Sequence, residues 1–356
     1  MSLDDLRSTI DSIDDAILEL LERRADAARA VAAEKQRVGR ASYYDPERER
    51  AILERLVAKS RNALPDAAIR AVYREIISAC LSMQRPLRVA FLGPRGTFSE
   101  MAARGLFGDA AEYVEAATIE GVFDAVARGD ASRGVVPVEN SGEGSVSATL
   151  RSLVDGELRI ERETVIEVAH CLLSRAASLA SVKRVYSHPQ GLGQCAAWLR
   201  KNLPDATMVQ KASTAGAALE AAADPEGAAI GNRLAGELHG LGVLASDVQD
   251  SRDNATRFLV VGPTDAPRTG DDKTTLAFGL TERPGALRAA LGAFEEEGIT
   301  LSRIESQPSR DRAWSYVFVC DFGGHREDDA SVRALARLGE VAATVKVIGS
   351  YPRGTK

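Results

Sequence analysis

The first 86 residues of the chain carry apolar side chains at alternating spacings of three and four. They stand at positions 3, 6, 10, 13, 17, 20, 27 and 31, with no glycine or proline before Gly39. That period predicts one long helix. The segment YYDPERER then places Asp45 as an N-cap before Pro46, so helices of about 47–60 and 66–84 should follow. The first helix would be roughly 50 Å long, too long for two short helices to cover, so we expect a second copy of the chain to cover it.

The pattern changes at Leu87 to short apolar strands separated by alanine-rich helical segments. The strands are LRVAFLG, RGVVPVE, VKRVYSHP and GAAIGN. This alternation predicts an α/β fold with largely parallel sheets. It divides into two halves, up to about residue 168 and from about 169 to 250, after which the chain returns through NATRFLVV. We therefore expect two lobes with a ligand in the cleft, where loops converge at strand ends.

A third pattern follows a polar, turn-rich linker, GPTDAPRTGDDK, at residues 262–273. The strands and helices after it predict the order βαββαβ, with helices near 285–297 and 329–338. A chain of 356 residues is long enough for two or three domains. The predicted domains are residues 1–86, 87–266 and 272–356.

The composition narrows the function without identifying it. Hydrophobic residues make up 45% and charged residues 27%, as in soluble globular proteins. The net charge of -6 favours neither nucleic acid nor an anionic membrane as a partner. The four cysteines form no CxxC or Cys/His cluster, so we expect neither a metal site nor disulfides, and a reducing cytoplasm as the location. The sequence does not begin with a basic segment followed by an apolar one, and it has no run of about 18 apolar residues. We therefore expect neither export nor a membrane span.

Arg24 stands on the same heptad seam of the first helix as Leu3, Ile10 and Val31. A guanidinium on a buried stripe is costly unless it meets an anion. Lys35 lies 11 residues further on, about three turns, and shares that face. The two cations predict a dianionic or extended acidic ligand. The alternative is a helical dimerisation module whose arginines pair with carboxylates of neighbouring helices.

The polar residues of this helical segment resemble those of the all-helical chorismate mutases over its whole length. The matching positions are Arg7, Arg24, Lys35, Asp45, Arg48, Glu49 and Gln84, with Cys80 where some members have serine. That family rearranges chorismate to prephenate without nucleophile, metal or cofactor. The protein folds the substrate and stabilises the charge that develops at the ether oxygen.

The resemblance implies a role for several of these side chains. Arg24 and Arg7 of the partner subunit would clamp the two carboxylates. Lys35 and Gln84 would donate to the ether oxygen, and Glu49 would hold the ring hydroxyl. Arg7 lies 17 residues from Arg24, about 100° round the helix, so it cannot easily serve the same pocket from the same chain. The implied fold is an intertwined all-α dimer.

Five polar loops of the middle segment each follow an apolar strand. They are GPRGTFSE, VENSGEGS, SHPQGLGQC, KASTAGAA and NATRF. Alone, each is compatible with an ordinary turn or helix cap, and GPRGTF lacks the GK[ST] of a P-loop. Together and in order they resemble prephenate dehydratase over nearly all of this segment. The implied fold is a two-lobed α/β domain similar to periplasmic binding proteins.

The resemblance identifies Thr256, Arg257 and Phe258 as the Thr-Arg-Phe signature of the active site. Prephenate loses carbon dioxide and hydroxide together, and the enzyme must hydrogen-bond or protonate the departing hydroxyl. Thr256 is the expected donor, held in one rotamer by its β-branch. Arg257 is expected either to bind a substrate carboxylate or to form a structural ion pair. The other expected pocket residues are Thr97, Ser99, Glu139, Asn140, Ser141, His188, Gln194, Ser213 and Thr214.

The βαββαβ order of the C-terminal segment resembles the ACT domain, an α+β ferredoxin-like regulatory fold that binds amino acids and pairs across a dimer. The segments GAL and IESQP match its two motifs, with Gln307 where arginine is common. That departure should weaken the binding of phenylalanine. The alternative is a purely structural dimerisation domain. The expected phenylalanine site comprises Gly285, Ala286, Leu287, Arg303, Glu305 and Ser306.

Taken together, the three segments resemble the bifunctional chorismate mutase/prephenate dehydratases of phenylalanine biosynthesis. The resemblance implies an isomerase and a carbon-oxygen lyase in one chain, which convert chorismate to prephenate and then to phenylpyruvate without cofactor or metal, under inhibition by L-phenylalanine. It also implies a homodimer or larger homo-oligomer in the cytoplasm, with no nucleic acid or membrane as a partner. The competing hypothesis is a non-enzymatic aromatic-metabolite sensor. A sensor would have no use for a proton donor at Thr256 or for the cations Arg24 and Lys35.

Overall fold

The computed structural model describes residues 2–38, 46–61, 63–84, 86–251, 253–308 and 316–354. The chain divides into two compact units. The first contains Met1–Arg88 and Arg104–Glu112, and the second contains Val89–Ala103 and Tyr113–Lys356. Within the described ranges, no helix is both long and apolar enough to cross a membrane.

Three helices lie at the start of the first unit: α1 (Leu3–Arg37), α2 (Pro46–Lys59) and α3 (Asp66–Ser82). The predicted helices agree with these bounds to within a few residues. α1 begins with a capping box, in which the Ser2 hydroxyl accepts from the Asp5 backbone N–H at 3.1 Å and the Asp5 carboxylate accepts from the Ser2 N–H at 2.7 Å. Gly39 and Asp45, the predicted helix break and N-cap, lie outside the described residues.

The apolar stripe of α1 is exposed in the single chain. The helix has 35 residues, and Ala32 is the buried one among them. Leu3, Ile10 and Ile17 are 63%, 57% and 47% exposed. A continuous row of large apolar side chains is normally covered by a partner surface. The described residues of one chain do not provide that cover.

Short strands and helices alternate through the middle segment. In chain order they are β1 (Arg88–Leu92), α4 (Phe98–Phe107), β2 (Glu112–Ala116), α5 (Ile119–Ala127), β3 (Arg133–Asn140), β4 (Gly144–Ser145), α6 (Ser147–Asp155), β5 (Arg159–Glu167), β6 (Cys171–Ser174), β7 (Arg184–Ser187), α7 (Pro189–Gln194), α8 (Ala196–Asn202), β8 (Thr207–Gln210), α9 (Thr214–Ala223), β9 (Gly227–Gly231), α10 (Arg233–His239), β10 (Gly242–Ala245) and β11 (Ala255–Gly262). The first sheet has the order β2-β1-β3-β11-β5, with β4 paired to β3. The second has the order β10-β6-β9-β7-β8.

Both sheets are mixed, which corrects the expectation of largely parallel sheets. β1 pairs in parallel with β3, and β7 pairs in parallel with β8 and β9. β11 runs antiparallel to both of its neighbours, β3 and β5, because the chain returns through it from the second sheet to the first. β6 is antiparallel to β9 and β10. β11 is the buried strand that its apolar run predicts, since Phe258, Leu259, Val260 and Val261 are at most 2% exposed.

A register shift between β3 and β11 sets which side chains share a face. Thr256 pairs with Asn140, whereas Phe258, two residues further on, pairs with Pro137, three residues back. β3 therefore carries one extra residue, Val138, as in a β-bulge. In a regular strand, residues three apart point to opposite faces. The bulge brings Pro137 and Asn140 to the same side, where both line one cavity.

The C-terminal segment has the predicted βαββαβ order: β12 (Asp272–Gly279), α11 (Ala286–Glu295), β13 (Leu301–Pro308), β14 (Tyr316–Gly323), α12 (Asp329–Val341) and β15 (Thr344–Pro352). The strands form one antiparallel sheet in the order β13-β14-β12-β15. Its core contains the fully buried side chains of Phe278, Phe294 and Phe322. The rings of Phe294 and Phe322 have centroids 5.4 Å apart.

The C-terminal sheet packs against β5 of the first sheet through β15. A Cβ atom built on Gly349 would lie 2.5 Å from the backbone oxygen of Ile160, so only glycine allows this approach. The Lys346 ammonium donates to the carbonyls of Leu153 and Val154 at 3.2 and 2.7 Å, at the end of α6. The carbonyls at a helix end lack intrahelical partners and attract a cation. Backbone contact and a charged cap therefore hold the two sheets together.

Candidate active sites

The three N-terminal helices line a cavity of about 720 Å³. Arg55 and Tyr73, which the sequence did not single out, are part of its wall. Of the eight predicted residues, Arg7 is not, and Asp45 lies outside the described residues. The six that line it are Arg24, Lys35, Arg48, Glu49, Cys80 and Gln84.

The wall of this helical cavity is strongly basic. Among the described residues, its lining includes the carboxylate of Glu49 and four cationic side chains, those of Arg24, Lys35, Arg48 and Arg55. Glu49 is 8% exposed, so its charge lies away from bulk water. Cations gathered in a concave, partly dry site attract anions. The cavity therefore suits a ligand with more than one negative charge.

Gln84 presents an unsatisfied polar atom at this cavity. Its Oε1 is buried and has no hydrogen-bond partner among the described residues. Leaving a buried acceptor unpaired typically costs about 1–3 kcal/mol. A side-chain amide offers an acceptor on one side and two donors on the other, and turning it over exchanges them. A ligand that fills the cavity would complete the bonding of Gln84.

Arg7 lies apart from the cavity on the same helix. Its guanidinium is exposed and stands 3.6 Å from the carboxylate of Asp4. It precedes Arg24 by 17 residues, about 25 Å along the helix axis. A role for Arg7 in a cavity of this kind requires a second chain.

A second cavity, of about 280 Å³, lies among loops of the two sheets in the middle segment. Each of the five predicted polar loops contributes to its wall. Nine of the twelve predicted residues line it: Thr97, Ser99, Asn140, His188, Gln194, Ser213, Thr214, Thr256 and Phe258.

Asn140 fixes the hydroxyl of Thr256 at the start of β11. Its Nδ2 donates to Thr256 Oγ1 at 2.9 Å and to Asn254 Oδ1 at 2.8 Å, while its Oδ1 accepts from the Gly142 backbone N–H at 2.9 Å. The Thr256 oxygen is therefore already an acceptor. Its hydrogen makes no bond to another described residue and is available to a ligand.

His188 and Ser213 begin helices at the edge of this cavity. The His188 Nδ1 accepts from the Gln190 backbone N–H at 3.3 Å as the N-cap of α7. The Ser213 hydroxyl accepts from the Gly216 N–H at 2.9 Å as the N-cap of α9. Both residues are helix caps, as the simpler interpretation of their loops predicts, and both also line the cavity. Helix N-termini favour negative charge nearby.

Comparison with known proteins finds three matches along the chain. Family models match residues 6–85 as chorismate mutase type II, 89–266 as prephenate dehydratase and 274–340 as an ACT domain. A bifunctional chorismate mutase/prephenate dehydratase from Aquifex aeolicus (strain VF5) is 42% identical over 355 residues, which cover 99% of this chain and 98% of that protein. The chain belongs to this bifunctional family.

Solved structures resemble the dehydratase and ACT domains. Prephenate dehydratase from Arthrobacter aurescens in complex with L-Phe has a TM-score of 0.69 at 38% identity, and the match covers 75% of this chain and 90% of that one. GqqA, described as a novel type of quorum quenching acylase, has a TM-score of 0.69 at 30% identity, with 74% and 97% covered. The acylase description belongs to GqqA. The present protein combines a helical mutase domain, an α/β dehydratase domain and an ACT domain.

His170 lines the dehydratase cavity and was missed by the sequence analysis. Its ring is 2% exposed, stands edge-on to Phe98 with centroids 5.6 Å apart, and places Nε2 2.8 Å from Gln194 Oε1. Burial lowers the pKa of His170, and the bond to Gln194 offsets part of that effect. Because Gln194 Oε1 is an acceptor, Nε2 carries the hydrogen of the neutral ring. The buried Nδ1 is then a bare acceptor without a partner among the described residues.

Three predicted residues lie outside the dehydratase cavity: Glu139, Ser141 and Arg257. Successive residues of a strand point to opposite faces, so Arg257 faces away from the cavity that Thr256 lines. It forms ion pairs with Glu163 and Asp321, which favours the structural alternative over carboxylate binding. Glu139, which pairs with Arg257 across the strands, also faces away from the cavity. The Ser141 hydroxyl instead donates to the Asp253 carbonyl at 2.9 Å and accepts from the Ala255 N–H at 3.0 Å.

The first phenylalanine motif lies at the start of α11 in the ACT domain. Gly285 has a φ of 79°, in the left-handed region that favours glycine, and caps the helix whose first residue is Ala286. No described atom lies within 4 Å of a Cβ built on Gly285, so the backbone is open there. Leu287 packs against the core of the domain.

The second motif, on β13, divides between two faces. Arg303 Nη2 donates to the Ser145 hydroxyl at 2.7 Å, and that hydroxyl also forms a very short hydrogen bond with Glu305. Ser306 is exposed on the other face, while Gln307 is only 7% exposed. Two of the residues expected to bind phenylalanine therefore contact the dehydratase domain.

Proposed function

We propose that this protein rearranges chorismate to prephenate in the helical cavity and converts prephenate to phenylpyruvate in the dehydratase cavity. The supporting observation is that two separate cavities each gather most of the residues that the family resemblance assigns to one reaction. The competing sensor hypothesis needs a pocket. It gives no reason for a threonine hydroxyl whose hydrogen is directed to a ligand, or for four cations in a second cavity.

In the mutase cavity, the side chains stabilise charge and the substrate rearranges within itself. Arg24 binds a carboxylate, and Glu49 accepts from the ring hydroxyl. Lys35 and Gln84 donate to the ether oxygen as its bond to the ring breaks. One well-aimed donor at a developing negative charge is typically worth about 3–4 kcal/mol. Arg48, Arg55 and Cys80 complete the wall and favour the dianion.

In the dehydratase cavity, Thr256 donates its hydrogen to the ring hydroxyl of prephenate. The ring carboxylate leaves as carbon dioxide, its bonding electrons enter the ring, and the carbon–oxygen bond breaks. The departing hydroxide takes the proton that Thr256 donates and leaves as water, and a proton from solvent restores the Thr256 hydroxyl. Asn140 keeps the Thr256 oxygen occupied, so the hydrogen stays directed to the substrate. The helix N-termini capped by His188 and Ser213 favour the substrate carboxylates.

The finer architecture is also part of the proposal. The exposed stripe of α1 and the position of Arg7 support an intertwined dimer of mutase domains. Two mixed sheets support a two-lobed, periplasmic-binding-protein-like dehydratase domain, and the βαββαβ order supports a ferredoxin-like ACT domain. The proposed domain limits are residues 1–86, 87–266 and 272–356. The protein would act in the cytoplasm without cofactor, metal, nucleic acid or membrane.

L-phenylalanine is the proposed inhibitor of the dehydratase reaction. The Arthrobacter aurescens relative was solved with L-Phe bound, and this chain has both ACT motifs. Inhibition requires phenylalanine to prefer a less active arrangement, and a preference of 1.4 kcal/mol shifts two states about tenfold. Gln307 replaces the common arginine and should weaken binding. Calorimetric titration up to millimolar phenylalanine, with Gln307→Arg as comparison, measures the effect.

The two activities should separate by mutation. Lys35→Ala should lower mutase turnover more than about a hundredfold, because one aimed donor is lost, and leave dehydration of supplied prephenate nearly intact.

Thr256→Val keeps the β-branched shape without the hydroxyl, so dehydration should collapse while mutase activity stays. Incubation with chorismate, followed by assay of prephenate and phenylpyruvate, measures both steps. Equal loss of both activities in either variant would contradict the assignment.

A further inference from the structure

The dehydratase site and the ACT domain share one short stretch of β3 and β11. Thr256 pairs with Asn140, and the next residue, Arg257, pairs with Glu139. Thr256 and Asn140 line the cavity, whereas Arg257 and Glu139 lie on the reverse face. The backbone between Thr256 and Arg257 is a single peptide unit. A force applied to Arg257 is therefore applied to the strand that positions the proposed proton donor.

Three acceptors hold Arg257 on that reverse face. Nε donates to Glu163 Oε2 at 2.7 Å, Nη1 to Asp321 Oδ2 at 2.7 Å, and Nη2 to the Tyr351 hydroxyl at 3.0 Å. The side chain of Arg257 is 13% exposed, and those of Glu163 and Asp321 are 4% and 1% exposed. Burial by itself lowers the pKa of Arg257, but Tyr351, Asp321 and Glu163 more than offset this and raise it. The guanidinium stays charged and fixed.

Two of these acceptors belong to the ACT domain and are tied to each other. The Thr275 hydroxyl donates to Asp321 Oδ1 at 2.7 Å and lies 2.7 Å from the Tyr351 hydroxyl. Tyr351 accepts from Arg257, so its own hydrogen is directed to Thr275. Thr275, Asp321 and Tyr351 lie on β12, β14 and β15. Arg257 is thus bonded to β14 and β15 of the ACT sheet, and Thr275 on β12, the strand between them, joins the two acceptors.

A second contact reaches the same stretch from the ACT edge strand. Arg303 on β13 lies 3.7 Å from Glu139, which also lies 3.7 Å from Arg257. Arg303 donates to Ser145 on β4, the strand paired with this end of β3. Glu305, two residues along β13, shares the Ser145 hydroxyl. The strand with the second phenylalanine motif therefore contacts the reverse face of the dehydratase site.

We propose that Asp321 of the ACT domain is a positioning residue for the dehydratase reaction and acts through Arg257 on Thr256. The inference rests on the proposed function. Displacement of a reacting group by about 1 Å costs on the order of a hundredfold in rate. A shift of the ACT sheet pulls Arg257, tilts the start of β11 and moves the Thr256 hydroxyl. The Thr-Arg-Phe signature then combines a donor to the substrate with an anchor to the regulatory domain.

Asp321→Asn tests the proposal, because it removes the charge and one acceptor at nearly constant volume. We expect kcat of the dehydratase to fall about tenfold with KM within about twofold, as for a misplaced donor in an intact pocket. Arg257→Lys should lower kcat similarly, and the double variant should be no worse than the stronger single one, because both changes break one connection. Urea unfolding is the control for folding, because mutase activity belongs to the other compact unit. If Asp321→Asn fails to fold, Tyr351→Phe replaces it as the test, because it removes a hydroxyl but no charge.

A matched ion pair lies elsewhere in the dehydratase domain. Arg184 binds Asp224 through two hydrogen bonds of 2.6 and 2.7 Å, and neither residue lines the dehydratase cavity. Asp224→Asn should leave kcat within about twofold, because this pair does not contact the strand of Thr256. An equal fall of kcat in Asp224→Asn and Asp321→Asn would overturn the proposal as a general stability effect. Unchanged kcat in Asp321→Asn and in Tyr351→Phe would overturn it directly.

Inhibition by phenylalanine provides an independent readout. Asp321→Asn should bind phenylalanine by calorimetry but be inhibited at least about tenfold less effectively, since the connection to Thr256 is weakened. Full inhibition in the variant would contradict transmission through Asp321. If the wild type binds phenylalanine without inhibition, the proposed regulation fails, whereas the kcat measurements still decide the positioning role. If the wild type lacks dehydratase activity, the proposed function itself fails.

Discussion

Thr256 owes its expected role to its neighbours as much as to its hydroxyl. Asn140 donates to its oxygen at 2.9 Å, which leaves only the hydrogen for a ligand. Gln194 acts in the same way on His170, since its Oε1 accepts from Nε2 and leaves Nδ1 as a bare acceptor. The only hydroxyl donor on prephenate is the one on its ring. One residue therefore offers a donor, and another an acceptor, to a single substrate group.

His170 should make the folded protein sensitive to acid. Burial lowers its pKa below the ordinary value of 6.5. Below pH 6.5 the unfolded chain binds a proton that the folded protein refuses, so stability falls as the pH drops towards the folded-state pKa. The slope from one such group is at most about 1.4 kcal/mol per pH unit. Urea unfolding between pH 8 and about pH 5 should show a shallower loss in His170→Asn than in the wild type.

A matched histidine controls this measurement. His239 ends α10 and does not line the dehydratase cavity. His239→Asn measures the effect of replacing a histidine outside the cavity. The same slope in His170→Asn and the wild type would show that other groups cause the acid sensitivity.

His170→Leu should also raise KM for prephenate about tenfold, because one neutral hydrogen bond to the substrate is lost.

The sequence predicts most cavity residues because they lie in polar loops after strands, but two residues show the limits of that approach. His170 lies in VAHCLL, an apolar run in which a single histidine indicates a packed core. Only the fold brings Phe98 and Gln194 to its ring. For Arg257, the resemblance allows two roles, carboxylate binding and a structural ion pair. Strand alternation could have decided between them, because a cavity lined by Thr256 places Arg257 on the reverse face.

At the scale of elements, the local signals proved more informative than the pairing of strands. Apolar spacing and Pro46 locate the N-terminal helices to within a few residues, because these signals act on the chain next to them. An apolar run such as FLVV identifies β11 as buried but does not specify its neighbours or direction. The antiparallel setting of β11 and the bulge at Val138 depend on pairing between strands that are far apart in the sequence. The periodicity of the sequence does not specify those contacts.

The contact of β15 with β5 should be sensitive to a single methyl group. A Cβ on Gly349 would lie 2.5 Å from the Ile160 carbonyl oxygen, and two backbones cannot separate locally without breaking the packing of the ACT sheet. Gly349→Ala should lower the free energy of unfolding by about 1–3 kcal/mol. Urea unfolding measures the change.

The same substitution has a control within the same domain. Gly339 lies inside α12, and nothing described lies within 4 Å of a Cβ built there. Gly339→Ala should raise stability by about 0.5–1 kcal/mol, since alanine is the better helix former. Equal changes in the two variants would show that the close approach of β15 to β5 contributes nothing.

At the scale of the whole molecule, the two reactions belong to separate compact units. Every residue of the mutase cavity lies within Met1–Arg88, and every residue of the dehydratase cavity lies in the other unit. In the single chain, α1 of the first unit exposes its apolar stripe, and Arg7 lies about 25 Å from Arg24 along the helix. The second unit includes the ACT domain, whose contacts with the dehydratase domain lie within one chain.

Mixed dimers should show whether Arg7 serves the mutase cavity of the other subunit. Arg7→Ala and Lys35→Ala dimers should each be inactive as mutases. When the two variants are co-expressed, half of the dimers are mixed, and each mixed dimer has one cavity with Lys35 from one chain and Arg7 from the other. About a quarter of wild-type mutase activity should return. Co-expression of Arg24→Ala with Lys35→Ala is the control, because both residues line the same chain's cavity and no intact site can form. If Arg7 acted within its own chain, the first mixture would stay as inactive as the control.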